Sequence, residues 1–346
     1  MNNLKLEIKL AFISGIKDIV LNEIGQYSDL RVIKKKDDTL YLDFVQDISQ
    51  IIRLRSVVRA YIVVQDSNYN PYFISKHKSI IGSIIAIVDK DTKDQFKSFK
   101  IICTGSDSPE VRSIAKYIED TYKLTEEEDA DMKIHITKSD NIWEVGIQIT
   151  PRPLSVREYK ARNMEGAMDS TIAYAVNSLC KLENVDSYLN VFSGSATLLI
   201  EAAQCYPNLK KLIGFDNSKE YLSLAILNIK KAGLLTKIKL KEEDIFSNPK
   251  LGKFNVITSD LPFGMLISKY EDLEELYQCF VEYCQGTLSP QGILGVYTSN
   301  YKMLKKIIRK SKFQIIKELN LKRITSTNTY LYPRILICTF KKDPKL

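Results

Sequence analysis

Histidine is nearly absent: His77 and His135 are the only two in 346 residues, and both lie far from any other candidate reactive group. That argues against a zinc site and against histidine acid–base chemistry. The six cysteines, Cys103, Cys180, Cys205, Cys279, Cys284 and Cys338, are scattered without a single C-x-x-C, so they read as buried free thiols of a reducing compartment. No apolar run exceeds Ser79 to Val88, which is half a membrane span, and Met1-Asn2-Asn3-Leu4-Lys5-Leu6-Glu7 carries charge where a signal peptide needs an apolar core. A cytoplasmic protein, with neither membrane nor metal partner, is therefore expected. G-x-G-x-x-G is missing too, which disfavours a dinucleotide. Internal repeats and low-complexity segments are not evident, and with 45% hydrophobic residues the chain can bury two or three domain cores.

What is present is unevenly charged. Residues 1–150 hold 21 Lys and Arg against 23 Asp and Glu, whereas residues 151–346 hold 29 against 19. A basic second half favours a polyanionic partner. In the first half, Leu4 to Leu10 alternates as a strand, Ile16 to Ile24 has helical spacing, and Val32–Lys35 can pair with Thr39–Phe44 as a hairpin. Helical spacing returns from Ile48 to Ser56, with Arg53, Arg55 and Arg59 read as solvated helix faces, phosphate contact being the alternative. A second α+β unit follows, with helices over Ile80 to Val88 and Val111 to Ile118 and strands at Phe99–Cys103, Met132–Ile136 and Trp143–Ile149. Thr150-Pro151-Arg152-Pro153-Leu154 breaks all periodicity and marks a boundary. Arg152, Arg157, Tyr159, Lys160 and Arg162 form a basic, aromatic linker that suits a nucleic-acid backbone or a solvated hinge.

From Asp169 helices and strands alternate regularly, as in a doubly wound sheet with right-handed crossovers. The strand Phe254–Ser259 is apolar and β-branched, and it ends in Asp260-Leu261-Pro262-Phe263-Gly264. An acid at that carboxyl end lies where open α/β sheets bind ligands. These residue types suit work on an exocyclic purine amine, a poor nucleophile until acceptors take its N–H hydrogens. Asp260 can accept, Pro262 stiffens the turn, and Phe263 offers a face for a base. Upstream, Ser193-Gly194-Ser195-Ala196-Thr197 follows a first strand and opens a helix carrying Glu201. Asp216 ends a second strand, where it can accept ribose hydroxyls. Asp244 ends a third, where it can accept from an adenine amine with Ile245 packed on the ring.

On these residues, together with Leu198-Leu199-Ile200-Glu201-Ala202-Ala203, Pro153-Leu154-Ser155-Val156-Arg157-Glu158-Tyr159-Lys160 and Gly15-Ile16-Lys17-Asp18-Ile19-Val20, the chain resembles the THUMP-domain S-adenosylmethionine-dependent RNA methyltransferases of the tRNA guanine-N2 type. The resemblance implies a ferredoxin-like domain over 1–66, a THUMP RNA-binding domain over 67–150, a linker over 151–166 and, over 167–346, a Rossmann-like methyltransferase domain with a seven-stranded sheet. By the same likeness S-adenosyl-L-methionine lies against Asn190, Phe192, Ser193, Gly194, Ser195, Thr197, Asp216, Asn217, Asp244, Ile245 and Asp260. Asp260, Leu261, Pro262 and Phe263 then receive a guanine flipped from a tRNA acceptor stem. Methylation of adenine N6 on RNA or DNA, and an RNA-binding protein that has lost catalysis, are the competing readings. A small activator subunit stays open as a partner. Two departures bear on the cofactor: Asn190-Val191 stands where the family has Asp-Pro, removing a charge near the methionine ammonium, and Ala196 stands where it has glycine, adding a methyl group close to the cofactor.

Overall fold

The computed structural model describes residues 5–66, 79, 81–82, 84–86, 96–103, 107–139, 142–161, 166–262, 270–324 and 329–341. Two compact units divide the chain, Met1–Phe12 with Val20–Val156 and Ile13–Ile19 with Arg157–Leu346. Among the described residues no helix is long and apolar enough to cross a membrane.

The first unit contains β1 (Leu6–Ala11), β2 (Val32–Lys35), β3 (Thr39–Asp43), β4 (Arg59–Asp66), β5 (Ser98–Ile102), β6 (Thr125–Glu126), β7 (Met132–Ser139) and β8 (Ile142–Gln148), joined in one sheet of order β2-β3-β1-β4-β8-β7-β5-β6. Period-two alternation puts Ile8, Leu10, Leu40, Leu42, Ile62 and Ile147 in its apolar tier. Helix α1 (Lys17–Ile24) starts in the segment assigned to the second unit; within the first, α2 is Ser49–Ile52 and α3 is Pro109–Tyr122, which is capped by Ser108 and buries Val111, Ile114, Ala115 and Ile118. The division expected at residue 66 falls at the end of β4, whose pairing with β8 carries the sheet onward. The helix expected from Ile48 to Ser56 is corrected to the single turn of α2, and Arg59 starts a strand. Glu23 captures the N–H groups of Arg55 (2.7 Å) and Ser56 (2.9 Å), which takes those donors away from a continuing helix. The helix expected over Ile80–Val88 falls largely outside the described residues.

In the second unit β9 (Ser187–Val191), β10 (Lys211–Asp216), β11 (Ile238–Glu242), β12 (Phe254–Asp260), β13 (Leu288–Thr298), β14 (Phe313–Asn320) and β17 (Arg334–Phe340) form the expected seven-stranded sheet, in the order β11-β10-β9-β12-β13-β17-β14. Strands β9 to β13 pair in parallel, and β17 runs antiparallel between β13 and β14. Helix α4 (Ser170–Leu179) precedes the sheet, and α5 (Thr197–Cys205), α6 (Lys219–Lys231), α7 (Tyr270–Thr287) and α8 (Tyr301–Lys310) connect its strands. Central strands are buried on both sides because helices cover both faces: every residue of β9 is buried, as are Val256 to Ser259 of β12. At the edge, β11 instead turns Lys239 and Lys241 outward. The order reverses between β9 and β12, so their carboxyl ends diverge and leave a crevice. A short hairpin, β15 (Arg323–Ile324) with β16 (Tyr330–Leu331), lies between β14 and β17 in the chain and has no counterpart among the sequence expectations.

Candidate active site

The crevice between β9 and β12 opens into a cavity of about 420 Å³ that Asn190, Phe192, Ser193, Gly194, Ser195, Thr197, Asp216, Asn217, Asp244, Ile245, Asp260, Leu261 and Pro262 all line. Four loop ends separated by up to 70 residues of sequence thus meet in one hollow. Phe263 lies outside the described residues, as does Arg162.

The loop after β9 is strained. Phe192, Gly194 and Ala196 all have left-handed backbone, with φ of 56°, 48° and 63°. For the two non-glycine residues that conformation costs on the order of 1–2 kcal/mol each and survives only where neighbours enforce it. The enforcers are visible. Ser193 donates its N–H to Phe215 O at 2.9 Å, Gly194 donates to Asp216 Oδ2 at 2.9 Å, and Ala196 donates to Ser193 O at 2.7 Å. Asn228 of α6 donates to Ser195 O at 3.1 Å while its own Oδ1 accepts the Ala161 N–H at 2.9 Å. Ala196 is fully buried and does not line the cavity, so its methyl group corrects the expectation of crowding against a cofactor.

The acids differ in state. Asp216 Oδ2 accepts from Gly194 and Oδ1 from Ser218 (3.1 Å), leaving Oδ2 lone-pair capacity for hydroxyl donors. Burial raises its pKa, against the pull of the N–H groups of Gly194, Ser218 and Asn217. Asp244 caps a short 3-10 helix by accepting the Phe246 N–H at 3.0 Å, and Ile245 is buried beside it while Phe246 stands 55% exposed at the rim. Asp260 is half-buried, but its Oδ1 is shielded from water, and burial pushes its carboxyl up to about 7 despite the opposing charge of Arg323.

Behind Asp260 the turn is fixed from two sides. Leu261 donates its N–H to Tyr297 O at 3.0 Å, and Tyr277 donates its hydroxyl hydrogen to Pro262 O at 2.9 Å, with Thr298 Oγ1 3.0 Å away. Ser259 Oγ donates to Val191 O at 3.0 Å, tying β12 to β9 under the cavity floor. Tyr277, Tyr297, Arg323 and Asn228 are absent from the sequence-derived site. Asn228 alone left a local signal, a polar residue three after Ala225 on the buried face of α6.

Three buried oxygens find no hydrogen-bond partner among the described residues and line this same cavity: Asn190 Oδ1, Ser193 Oγ and Asp260 Oδ1. Native proteins rarely leave such atoms unpaired, so their convergence marks the seat of a ligand rich in N–H groups. Among the described residues, no cluster of His, Cys, Asp or Glu could hold a metal.

The linker residues behave otherwise than expected. Arg152 is exposed. Arg157 and Tyr159 instead both donate to Glu201, which is fully buried on α5, at 3.1 and 2.8 Å, and Tyr159 is itself 4% exposed. Lys160 donates to Met168 O at 2.8 Å, and burial lowers its pKa. The expectation that these three face a nucleic-acid backbone is corrected: a buried carboxylate needs partners more than the solvent does, and Glu201 draws the linker inward.

A doubly wound seven-stranded sheet with helices on both faces is the fold of a Rossmann-like methyltransferase domain. The molecule's overall course agrees. TrmN from Thermus thermophilus superposes over 97% of this chain and 100% of its own with a TM-score of 0.78 at 18% identity, and the SAH complex of SMU.472 over 99% and 100% with a TM-score of 0.71 at 16% identity. Residues 157–328, just under half of the chain, match the family model of the RMKL-like methyltransferase domain. Over 149 residues it is 32% identical to the U6 snRNA (guanine-N(2))-methyltransferase THUMPD2 of Bos taurus, covering 43% of this chain and 29% of that one. Over 165 residues it is 27% identical to the tRNA (guanine(6)-N2)-methyltransferase of Thermus thermophilus, covering 47% and 49%. The chain thus spans between about three tenths and half the length of these curated relatives.

Proposed function

We propose that this chain transfers a methyl group from S-adenosylmethionine to the exocyclic N2 of a guanosine in tRNA, in the acceptor stem. The observation that carries the reading is the convergence of Gly194, Asp216, Asp244 and Asp260 on one cavity with three unsatisfied oxygens. A sulfonium nucleoside fits those groups. Asn190 Oδ1 and Ser193 Oγ are acceptors for an α-ammonium, Asp216 retains lone pairs for ribose hydroxyls, and Asp244 with Ile245 suits the amine and face of adenine. When bound, S-adenosylmethionine supplies an electrophilic methyl group. Everything else is the work of the chain. Asp260 accepts an N–H of the guanine amine, localises the nitrogen lone pair, and takes the proton that the amine loses as its new N–C bond forms. The tethers from Tyr297 and Tyr277 hold that acceptor in line.

Relatives named for tRNA guanine-6 and for U6 snRNA guanine share the N2 position of attack, which supports guanine as the base. A ferredoxin-like domain over 1–66 and a THUMP domain over 67–150 would grip the tRNA, and six free cysteines suit a cytoplasmic setting.

Titration calorimetry with S-adenosylmethionine should give saturable heat. Incubation of the purified chain with labelled cofactor and unmodified tRNA transcripts should then yield N2-methylguanosine on nucleoside analysis. N6-methyladenosine as the product would replace guanine by adenine, and no heat at millimolar cofactor would make the chain a non-catalytic binder. Running the incubation without added protein also tests whether a small activator subunit is required.

A further inference from the structure

The hairpin β15–β16 shows an unusual surface. Residues 321–334 include Lys322, Arg323 and Arg334 and no acid. Tyr330 and Tyr332 stand 50% and 55% exposed with ring centroids 6.4 Å apart, and Lys322 Nζ lies 4.2 Å from the centre of the Tyr330 ring. Two half-exposed aromatic rings side by side and next to a cation form a surface suited to a partner with flat faces and negative charge.

The hairpin is also connected to the catalytic turn. Arg323 Nη1 donates to Tyr297 OH at 3.3 Å; Tyr297 is the register partner of Asp260, and its carbonyl holds the Leu261 N–H. The base of the hairpin is closed by Leu321 N–H to Pro333 O at 3.0 Å and by Lys322 N–H to Ser14 O at 3.2 Å. Arg323 thus ties the described part of the hairpin to the strand that flanks the catalytic turn.

We infer that this hairpin holds the substrate RNA: the rings of Tyr330 and Tyr332 stack on bases flanking the extruded nucleoside, Lys322 meets the phosphates, and Arg323 anchors the hairpin to the wall behind Asp260. The inference rests on the RNA methyltransferase reading. An extruded nucleoside leaves its neighbours unstacked, and aromatic faces replace that stacking whatever the base. Arg334 pairs with Glu318 and Arg323 turns to Tyr297, so exposed Lys322 is the cation of the segment left to meet a polyanion.

The test uses the full chain with Tyr330→Ala/Tyr332→Ala, a companion Tyr330→Phe/Tyr332→Phe, and a fluorescent unmodified tRNA transcript, followed by anisotropy. Loss of stacking should weaken RNA binding by about tenfold or more, while the phenylalanine pair stays within roughly threefold of the parent. Cofactor affinity by calorimetry should be the same in all three, which shows that the variants are folded. RNA affinity unchanged in the alanine pair overturns the inference and leaves the methyltransferase reading standing. Altered sedimentation without altered RNA affinity would also overturn it, by assigning the rings to a protein surface. Absence of cofactor heat in the parent chain would instead refute the function proposed above.

Discussion

Asp260 is a carboxylate kept in the wrong place for its charge. Its Oδ1 has no partner among the described residues and burial lifts its pKa to about 7. An unfolded aspartate releases its proton near pH 3.9, so between about pH 4 and pH 7 the folded chain still holds a proton that the unfolded chain has lost. Stability must fall as pH rises through that window and stay reduced above it. Asp260→Asn removes the penalty: it should unfold at higher temperature than the parent at pH 8, by an amount up to about 4 kcal/mol, and the difference should vanish by pH 4. Methyl transfer should move the other way. The parent rate should drop as pH falls below 7 and Asp260 becomes a donor, and the asparagine variant, unable to take a proton, should be slow throughout. An asparagine variant less stable than the parent at pH 8 would mean that the carboxylate has a partner in solution.

At the scale of elements, the exit of β12 depends on two tyrosines that come from elsewhere. Tyr277 of α7 donates to Pro262 O, and its hydroxyl also lies 3.0 Å from Thr298 Oγ1. Tyr277→Phe leaves that carbonyl without its donor at a cost of about 1 kcal/mol in stability. Because the turn then loses its fixed direction, kcat should fall several-fold further than KM for RNA rises; equal changes in both would show that Tyr277 only packs. The strands themselves are legible in the sequence, since β9, β10 and β12 are largely buried and their apolar residues form short runs with no helical spacing. The acids Asp216 and Asp260 that end β10 and β12 follow from where each run stops. Tyr277, Tyr297 and Arg323 are not legible, because their partners stand 15 to 26 residues away and no local pattern records them. The same non-locality turns the linker inward. Arg157 and Tyr159 look solvated until Glu201, 44 and 42 residues later, proves to be fully buried. The hairpin β15–β16 escapes for a different reason: two-residue strands carry no periodicity.

At the scale of the whole molecule, the compact unit built from Arg157–Leu346 also contains Ile13–Ile19, a segment from near the start of the chain. Its anchor is an isolated bridge between Ser14 and Lys322, and beside it Gly15 has φ of 104°. A Cβ there would lie 2.0 Å from the carbonyl oxygen of Asn320, which is backbone and cannot swing aside. The glycine therefore does two things at once, adopting a conformation other residues avoid and letting the segment lie against the end of β14. Gly15→Ala should cost about 2 kcal/mol or more from the left-handed backbone and the forced separation together. The loss should appear in the unfolding transition that S-adenosylmethionine raises, because the displaced contact belongs to the unit that carries the cavity. Since Lys322 sits at the base of β15–β16, RNA affinity should decline in the same variant while cofactor affinity at low temperature holds. A Gly15→Ala chain that unfolds like the parent and binds RNA as tightly would show that residues 13–19 rest loosely on that unit in solution.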